Sequence, residues 1–164
     1  MARQPFIAQR LTKTASILLH GRVDAVFPLF GPVEEKQWAQ GWNPVILYPS
    51  SGVVEEGMVF TTQAHHQGEA EYHWVVARYE PDRHCIAYLV SAPTRVWSIT
   101  IRCTSTRDAE TKATITYAFT GIDDDGNTLN TRTAQAIFGD NLTDWEESIN
   151  DYLSATRMPD PRKG

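Results

Sequence analysis

Cysteine is scarce in this chain: Cys85 and Cys103 are the only two in 164 residues. Two thiols cannot make the framework that staples small secreted domains, so any core must come from packing. No run of about 18 apolar residues occurs, which excludes a membrane-spanning helix. Basic residues are not in excess either. Fifteen Lys and Arg against twenty Asp and Glu give a net charge of −5, with no cluster that would suit a phosphate backbone, so nucleic acid is not an expected partner. There is no glycine-rich phosphate loop, no serine elbow, no internal repeat and no low-complexity tract. No charged and apolar leader opens the chain, and with reduced thiols this makes a cytoplasmic protein the expectation. The Asn141-Leu142-Thr143 triplet matches a glycosylation acceptor but falls inside a helical pattern in a chain without a secretory signal.

What remains is enough for one domain over residues 1–164, since a chain of this size buries roughly 70% of its unfolded surface. Residues 1–10 and 158–164 read as tails, the second stopped by Pro159 and Pro161. The strongest periodic signal is near the C-terminus. Ala134, Ile137, Phe138, Leu142, Trp145, Ile149, Tyr152 and Leu153 recur at three- and four-residue steps, which predicts one long amphipathic helix over 129–156. Gly139 inside that stretch costs about 1 kcal/mol relative to alanine and marks either a bend or close approach, or a tolerated glycine.

The preceding chain alternates. Strands are expected over 12–20, 45–48, 58–63, 70–79, 84–91, 95–105 and 111–121, with turns at Pro81-Asp82 and Ala92-Pro93-Thr94 short enough for antiparallel hairpins. Leu18 breaks the alternation of the first strand. Between the first two strands lie two short helices. Asp24 is the expected N-cap of one; the other begins at Pro32, carries Glu34 and Glu35 at its positive end, and is closed by Gly41. The fold class is therefore α+β: a curved seven-stranded antiparallel sheet wrapped around a long C-terminal helix, with two short helices after the first strand.

This order, and the stretches Val26-Phe27-Pro28-Leu29-Phe30, Trp38 to Pro44, Tyr72 to Trp74, Trp145-Glu146 and Tyr152-Leu153, resemble the START-like helix-grip (SRPBCC) proteins, specifically their polyketide cyclase/dehydrase-like branch. The likeness covers nearly the whole chain and rests on fold and packing signatures. It implies a deep apolar cavity between sheet and last helix that holds a small hydrophobic molecule, lipid-like or polyketide-like, with no metal and no tightly bound cofactor. A cyclase or dehydratase that uses a polar cavity residue as general acid/base is the alternative. A protein-interaction module of the chaperone-activator type is a second alternative, one that needs an exposed apolar patch which the strand patterning does not provide. A homodimer is compatible with all three.

Candidate residues follow from chemistry. Trp42, Trp74, Tyr88, Trp97, Tyr117, Phe138 and Leu142 are the ligand-binding candidates, since aromatic faces make wide apolar walls, although each also suits ordinary core packing, to which Trp42 and Trp145 lean most. Trp97 and Tyr117 share strand faces with isoleucines and phenylalanine and are expected to point inward. His73, Tyr88, Arg95 and Tyr117 are the acid/base candidates. His73 and Glu71 share a strand face opposite Tyr72 and Trp74, which have first claim on the interior. His65, His66 and His73 near Glu69 and Glu71 invite a test for metal, but adjacent histidines on an extended segment point opposite ways. The Asp123 to Asn127 run has its glycine too early for a calcium loop and reads as a polar turn into the helix. Cys85 and Cys103 are expected to be out of register by about three residues, which argues against a disulfide.

Overall fold

The computed structural model describes residues 4–64, 66 and 68–156. Alternating apolar residues commit each strand to one buried face, and seven such strands pair into one antiparallel sheet. They are β1 (Arg10–Leu19), β2 (Val45–Tyr48), β3 (Val59–Gln63), β4 (Glu71–Glu80), β5 (Cys85–Ser91), β6 (Arg95–Arg107) and β7 (Glu110–Gly121), ordered β1-β7-β6-β5-β4-β3-β2. The inner face carries Ile17 and Leu19, Phe60, Val76, Tyr88 and Val90, Trp97, Ile99 and Ile101, and Ile115, Tyr117 and Phe119, all buried. Each such side chain contributes about 1.5–3 kcal/mol by leaving water. Leu18 points outward and is 45% exposed, which is why it breaks the pattern.

A bulge tunes the fourth strand. Register shifts between Val76 and Arg78, so the odd-numbered Tyr79 lies on the same side as the even-numbered Trp74 and Val76 and stacks on Phe27. On the outer face, Tyr48, Val59, Val75 and Leu89 are mutual partners across β2 to β5, and Tyr48, Val75 and Leu89 are exposed. This row is the apolar patch that strand alternation alone gave no sign of.

Consecutive strands β1 and β2 lie at opposite edges of the sheet, so the chain between them must cross it. The crossing consists of α1 (Val23–Val26) and two 3-10 helices, Phe27–Phe30 and Glu34–Gln37. Two expectations are corrected here. Asp24 lies within the first turn and Arg22 takes the cap position without a side-chain bond, while the second helix starts after Val33 and ends at Gln37, well before Gly41.

The long C-terminal helix is also corrected: it is two helices, α2 (Asp124–Phe138) and α3 (Thr143–Ala155). Asn141 and Leu142 have φ of 56° and 62°, a left-handed pair that ends any α-helix. Asp123 caps α2 by accepting from the Gly126 N–H at 2.8 Å, and Asp124 and Asp125 favour its positive end. Gly126 has no room for a Cβ against the Thr94 carbonyl, so the helix start seats directly on the β5–β6 turn. α3 then closes the edge of β1. Glu146 accepts from the Leu18 N–H at 2.8 Å, and Asn150 accepts from the His20 N–H at 2.9 Å while donating to the Leu18 carbonyl at 3.1 Å. Side chains thus satisfy an edge that would otherwise invite another strand.

Candidate aromatic cleft and interior carboxyl

The segment that follows the second 3-10 helix folds over the far end of the sheet because its two tryptophans have apolar rings to bury and one N–H each to satisfy. Trp38 donates to the Leu29 carbonyl and Trp42 to the Pro32 carbonyl, both at 2.7 Å. Trp42 then meets Trp74 edge-on at 5.3 Å and Phe60 at 6.0 Å, while Phe60 stacks on Trp74 at 5.3 Å. The Trp74 N–H is taken by Thr62 at 2.9 Å. Between this segment and β3 and β4 is a cleft of about 530 Å³, lined by Ala39 to Asn43, Val45, Thr61 to Gln63, Glu71, Tyr72 and Trp74. Both cleft indoles offer ring faces rather than donors.

Beyond Trp74 the aromatic chain continues inward. Tyr88 lies 5.7 Å from Trp74 and 6.1 Å from Phe60 and donates to the Phe30 carbonyl at 2.6 Å. Tyr117 packs between Phe119 at 5.6 Å and Phe138 at 5.3 Å. Burial first, and then the charge of Glu35, raises the pKa of both phenols above the ordinary value.

Glu35 is a desolvated carboxyl that the sequence reading took only as charge at a helix start. In its 3-10 turn Glu34, Lys36 and Gln37 are exposed and Glu35 is not. Three residues per turn place Glu35 beneath Trp38, which packs inward on Phe30 and Trp145 at 6.1 and 5.6 Å. The Trp38 N–H to Glu35 carbonyl bond at 3.2 Å confirms the register. Desolvation by burial pushes its carboxyl up to about 8. Among the described residues no side chain pairs with it. The signal that would have found it is the Glu35–Trp38 spacing, which only a 3-10 turn makes meaningful.

A second polar group is fully satisfied. Arg95, 1% exposed, donates to both oxygens of Glu69 at 3.0 and 2.7 Å, to Thr133 on α2 at 2.6 Å and to Tyr72 at 3.3 Å, and lies 4.9 Å over the Trp97 ring. Tyr72 in turn donates to Glu69 at 2.7 Å. Burial works against the Glu69 carboxylate, but the bonds from Arg95 and then Tyr72 outweigh it and hold its pKa below the ordinary value; burial, then Glu69, pushes the Tyr72 phenol up to about 12. Arg95 is thereby a clasp between sheet and α2, with its donors already committed.

The remaining candidates are placed plainly. His73 stands on the outer face with a side chain 61% exposed, 3.5 Å from Glu71, away from Tyr88 and Tyr117. Trp42 and Trp74 line the cleft; Tyr88, Trp97, Tyr117, Phe138 and Leu142 pack deeper, and neither C-terminal helix lines the cleft. His65 lies outside the described residues, His66 is exposed, and among the described residues no three His, Cys, Asp or Glu side chains converge. Cys85 pairs with Arg102, so Cys103 is one residue out of register rather than three; both thiols are free and buried, and burial, with Cys85 adding to it, pushes Cys103 up to about 12.

Sheet, crossing segment and C-terminal helices together define an α+β helix-grip fold. No family model and no curated protein matches the sequence. Solved structures do match in fold: norcoclaurine synthase from Thalictrum flavum in complex with dopamine and hydroxybenzaldehyde, at 11% identity and a TM-score of 0.68 over 93% of this chain and 91% of that one. The Zhui aromatase/cyclase from Streptomyces sp. R1128 matches at 16% and 0.65 over 91% and 97%. An uncharacterised protein from Rhizobium leguminosarum matches at 16% and 0.62 over 93% and 99%. At these identities the likeness is one of fold.

Proposed function

We propose that the protein binds a small, planar, largely apolar molecule in the cleft between the Ala39–Asn43 segment and strands β3 and β4. The observation that carries this is the perpendicular pair Trp42 and Trp74, whose N–H groups are internally satisfied and whose faces border a cleft of about 530 Å³, within the range usual for small-ligand sites. Thr61, Thr62, Asn43 and Gln63 at its walls supply polar contacts to orient one edge of a ring system. The named ligands and activities of the structural neighbours, dopamine and hydroxybenzaldehyde in one and aromatase/cyclase in another, support an aromatic or polyketide-like class.

The reading is tested by titrating the protein with 2-naphthol and following tryptophan fluorescence. Saturable quenching is expected, and Trp74→Ala should weaken it by about tenfold or more, the loss of one aromatic wall being worth upward of 1.4 kcal/mol. Equal affinity in the variant would contradict the site.

A further inference from the structure

We propose that the cleft selects a cation: its ligand is a planar apolar body carrying a protonated amine on a short arm, with Glu71 as the counter-charge. This rests on the binding reading above and deepens it by naming the ligand's charge. Among the described residues that line the cleft, Glu71 is the one charged side chain, and no Lys or Arg is there to meet an anion. The three aromatic walls have their polar hydrogens already committed. Trp42 donates to the Pro32 carbonyl at 2.7 Å, Trp74 to Thr62 at 2.9 Å and Tyr72 to Glu69 at 2.7 Å. What these residues leave for a ligand is ring faces, which carry negative charge density and attract cations. The Arg95 guanidinium behind Tyr72 is 1% exposed and bonded to both oxygens of Glu69, so it cannot serve an anion in the cleft either.

Strand register places the carboxylate. β2 begins at Val45 opposite Thr61, so Thr62 and Gln63 at the end of β3 have no β2 partner. The cleft runs along this open edge and is lined from both sides of the pleat, by Thr62, Tyr72 and Trp74 on one and by Thr61, Gln63 and Glu71 on the other. Glu71 pairs with Gln63 across the ladder and stands three residues before Trp74, about 10 Å along the strand. A fused ring against the indoles with a two-carbon arm to its ammonium spans that separation. Among the described residues the ion-pair partner of Glu71 is His73, at 3.5 Å, and both side chains are more than half exposed. A pair as open as that is worth little, so a ligand ammonium can take the place of the imidazole. Inside the cleft the ammonium gains the carboxylate and the indole faces together, with less screening than on open surface.

The test is a charge series on one ring: 2-naphthylethylammonium, the neutral 2-naphthylethanol and the anion 2-naphthylacetate, each titrated at neutral pH by isothermal calorimetry. The amine is protonated and the acid ionised under those conditions. Wild type should bind the cation about tenfold more tightly than the alcohol, and the anion more weakly than either. Glu71→Gln should bring the ratio of cation to alcohol affinity to within about threefold of one, whereas Glu147→Gln, an exposed carboxylate on α3, should leave the ratio as in wild type. Salt at about 0.5 M should shrink the wild-type ratio, because the Glu71 side chain is half exposed and its charge is open to screening. A wild-type ratio near one, or a ratio that Glu71→Gln leaves unchanged, overturns the assignment, while binding of the alcohol keeps the reading of the cleft as a ligand site. If none of the three binds, both fall.

Discussion

Two desolvated carboxyls, Glu69 buried and Glu35 half-buried, behave oppositely, and the difference is a matter of partners. Glu69 has the Arg95 guanidinium, Tyr72 and full hydrogen bonding; Glu35 has desolvation and, among the described residues, no partner to offset it. Removing the first pair's cation should be severe: Arg95→Leu leaves Glu69 buried and unpaired, at a cost of about 3–5 kcal/mol in urea unfolding, and the Arg95→Leu/Glu69→Leu double variant should recover most of that. Recovery of nothing would mean that Arg95 matters through Thr133 and Trp97 instead. Because Glu69 is held below its ordinary value, its contribution is present above that value and fades as pH falls through it. Glu35 runs the other way. Its folded pKa lies above the ordinary 4.5, so the fold favours the protonated form and loses stability as pH rises from about 4.5 to about 8. Glu35→Gln should therefore gain about 2–4 kcal/mol at pH 9 and nothing at pH 4; a pH-independent difference would contradict the buried, unpaired state. Neither carboxyl was legible in the sequence. Glu34-Glu35 looks like charge at a helix start, and which of the two turns inward depends on a 3-10 rather than an α register. Arg95 is an acid/base candidate in the sequence, but its partner, 26 residues earlier, follows only from the folded structure.

At the level of elements, the strands were readable because each carries its own evidence: alternation over ten or so residues, bounded by turn chemistry, gives type and approximate limits. The C-terminal helix was readable in type but not in continuity. The apolar spacing runs unbroken through Phe138, Leu142 and Trp145, and yet the backbone turns left-handed at Asn141 and Leu142. Long-range bonds decide this. α3 is positioned by Glu146 and Asn150 on the β1 edge, and a straight continuation of α2 has no such contacts to gain. Asn141-Leu142 is a weak sequence signal because asparagine tolerates φ near 56° without demanding it. Asn141→Gly should be neutral to slightly stabilising, Asn141→Val destabilising by about 1–2 kcal/mol in thermal unfolding. Equal melting of both would show that the break is not strained. Asn150→Leu should instead expose the β1 edge, and increased self-association by light scattering is the expected consequence.

For the whole molecule, the controlling feature is the crossing from β1 to β2 at opposite edges of the sheet. It carries Glu35 inward, brings Trp38 to Trp145, and hangs Trp42 over Trp74 so that the cleft opens at the β2–β4 end rather than beneath the C-terminal helices. The seven strands and the helix-grip class followed from element order; the cleft's place did not, because it is set by where two indole N–H groups find carbonyls. The most direct measurement is a proton–nitrogen NMR titration with 2-naphthol, since five tryptophans give five indole N–H signals. Trp42 and Trp74 should shift together and saturate with the same affinity, while Trp38, Trp97 and Trp145 move little. Saturable shifts confined to Trp97 or to Trp38 and Trp145, with Trp42 and Trp74 unmoved, would contradict the account and put the ligand beneath the helices instead.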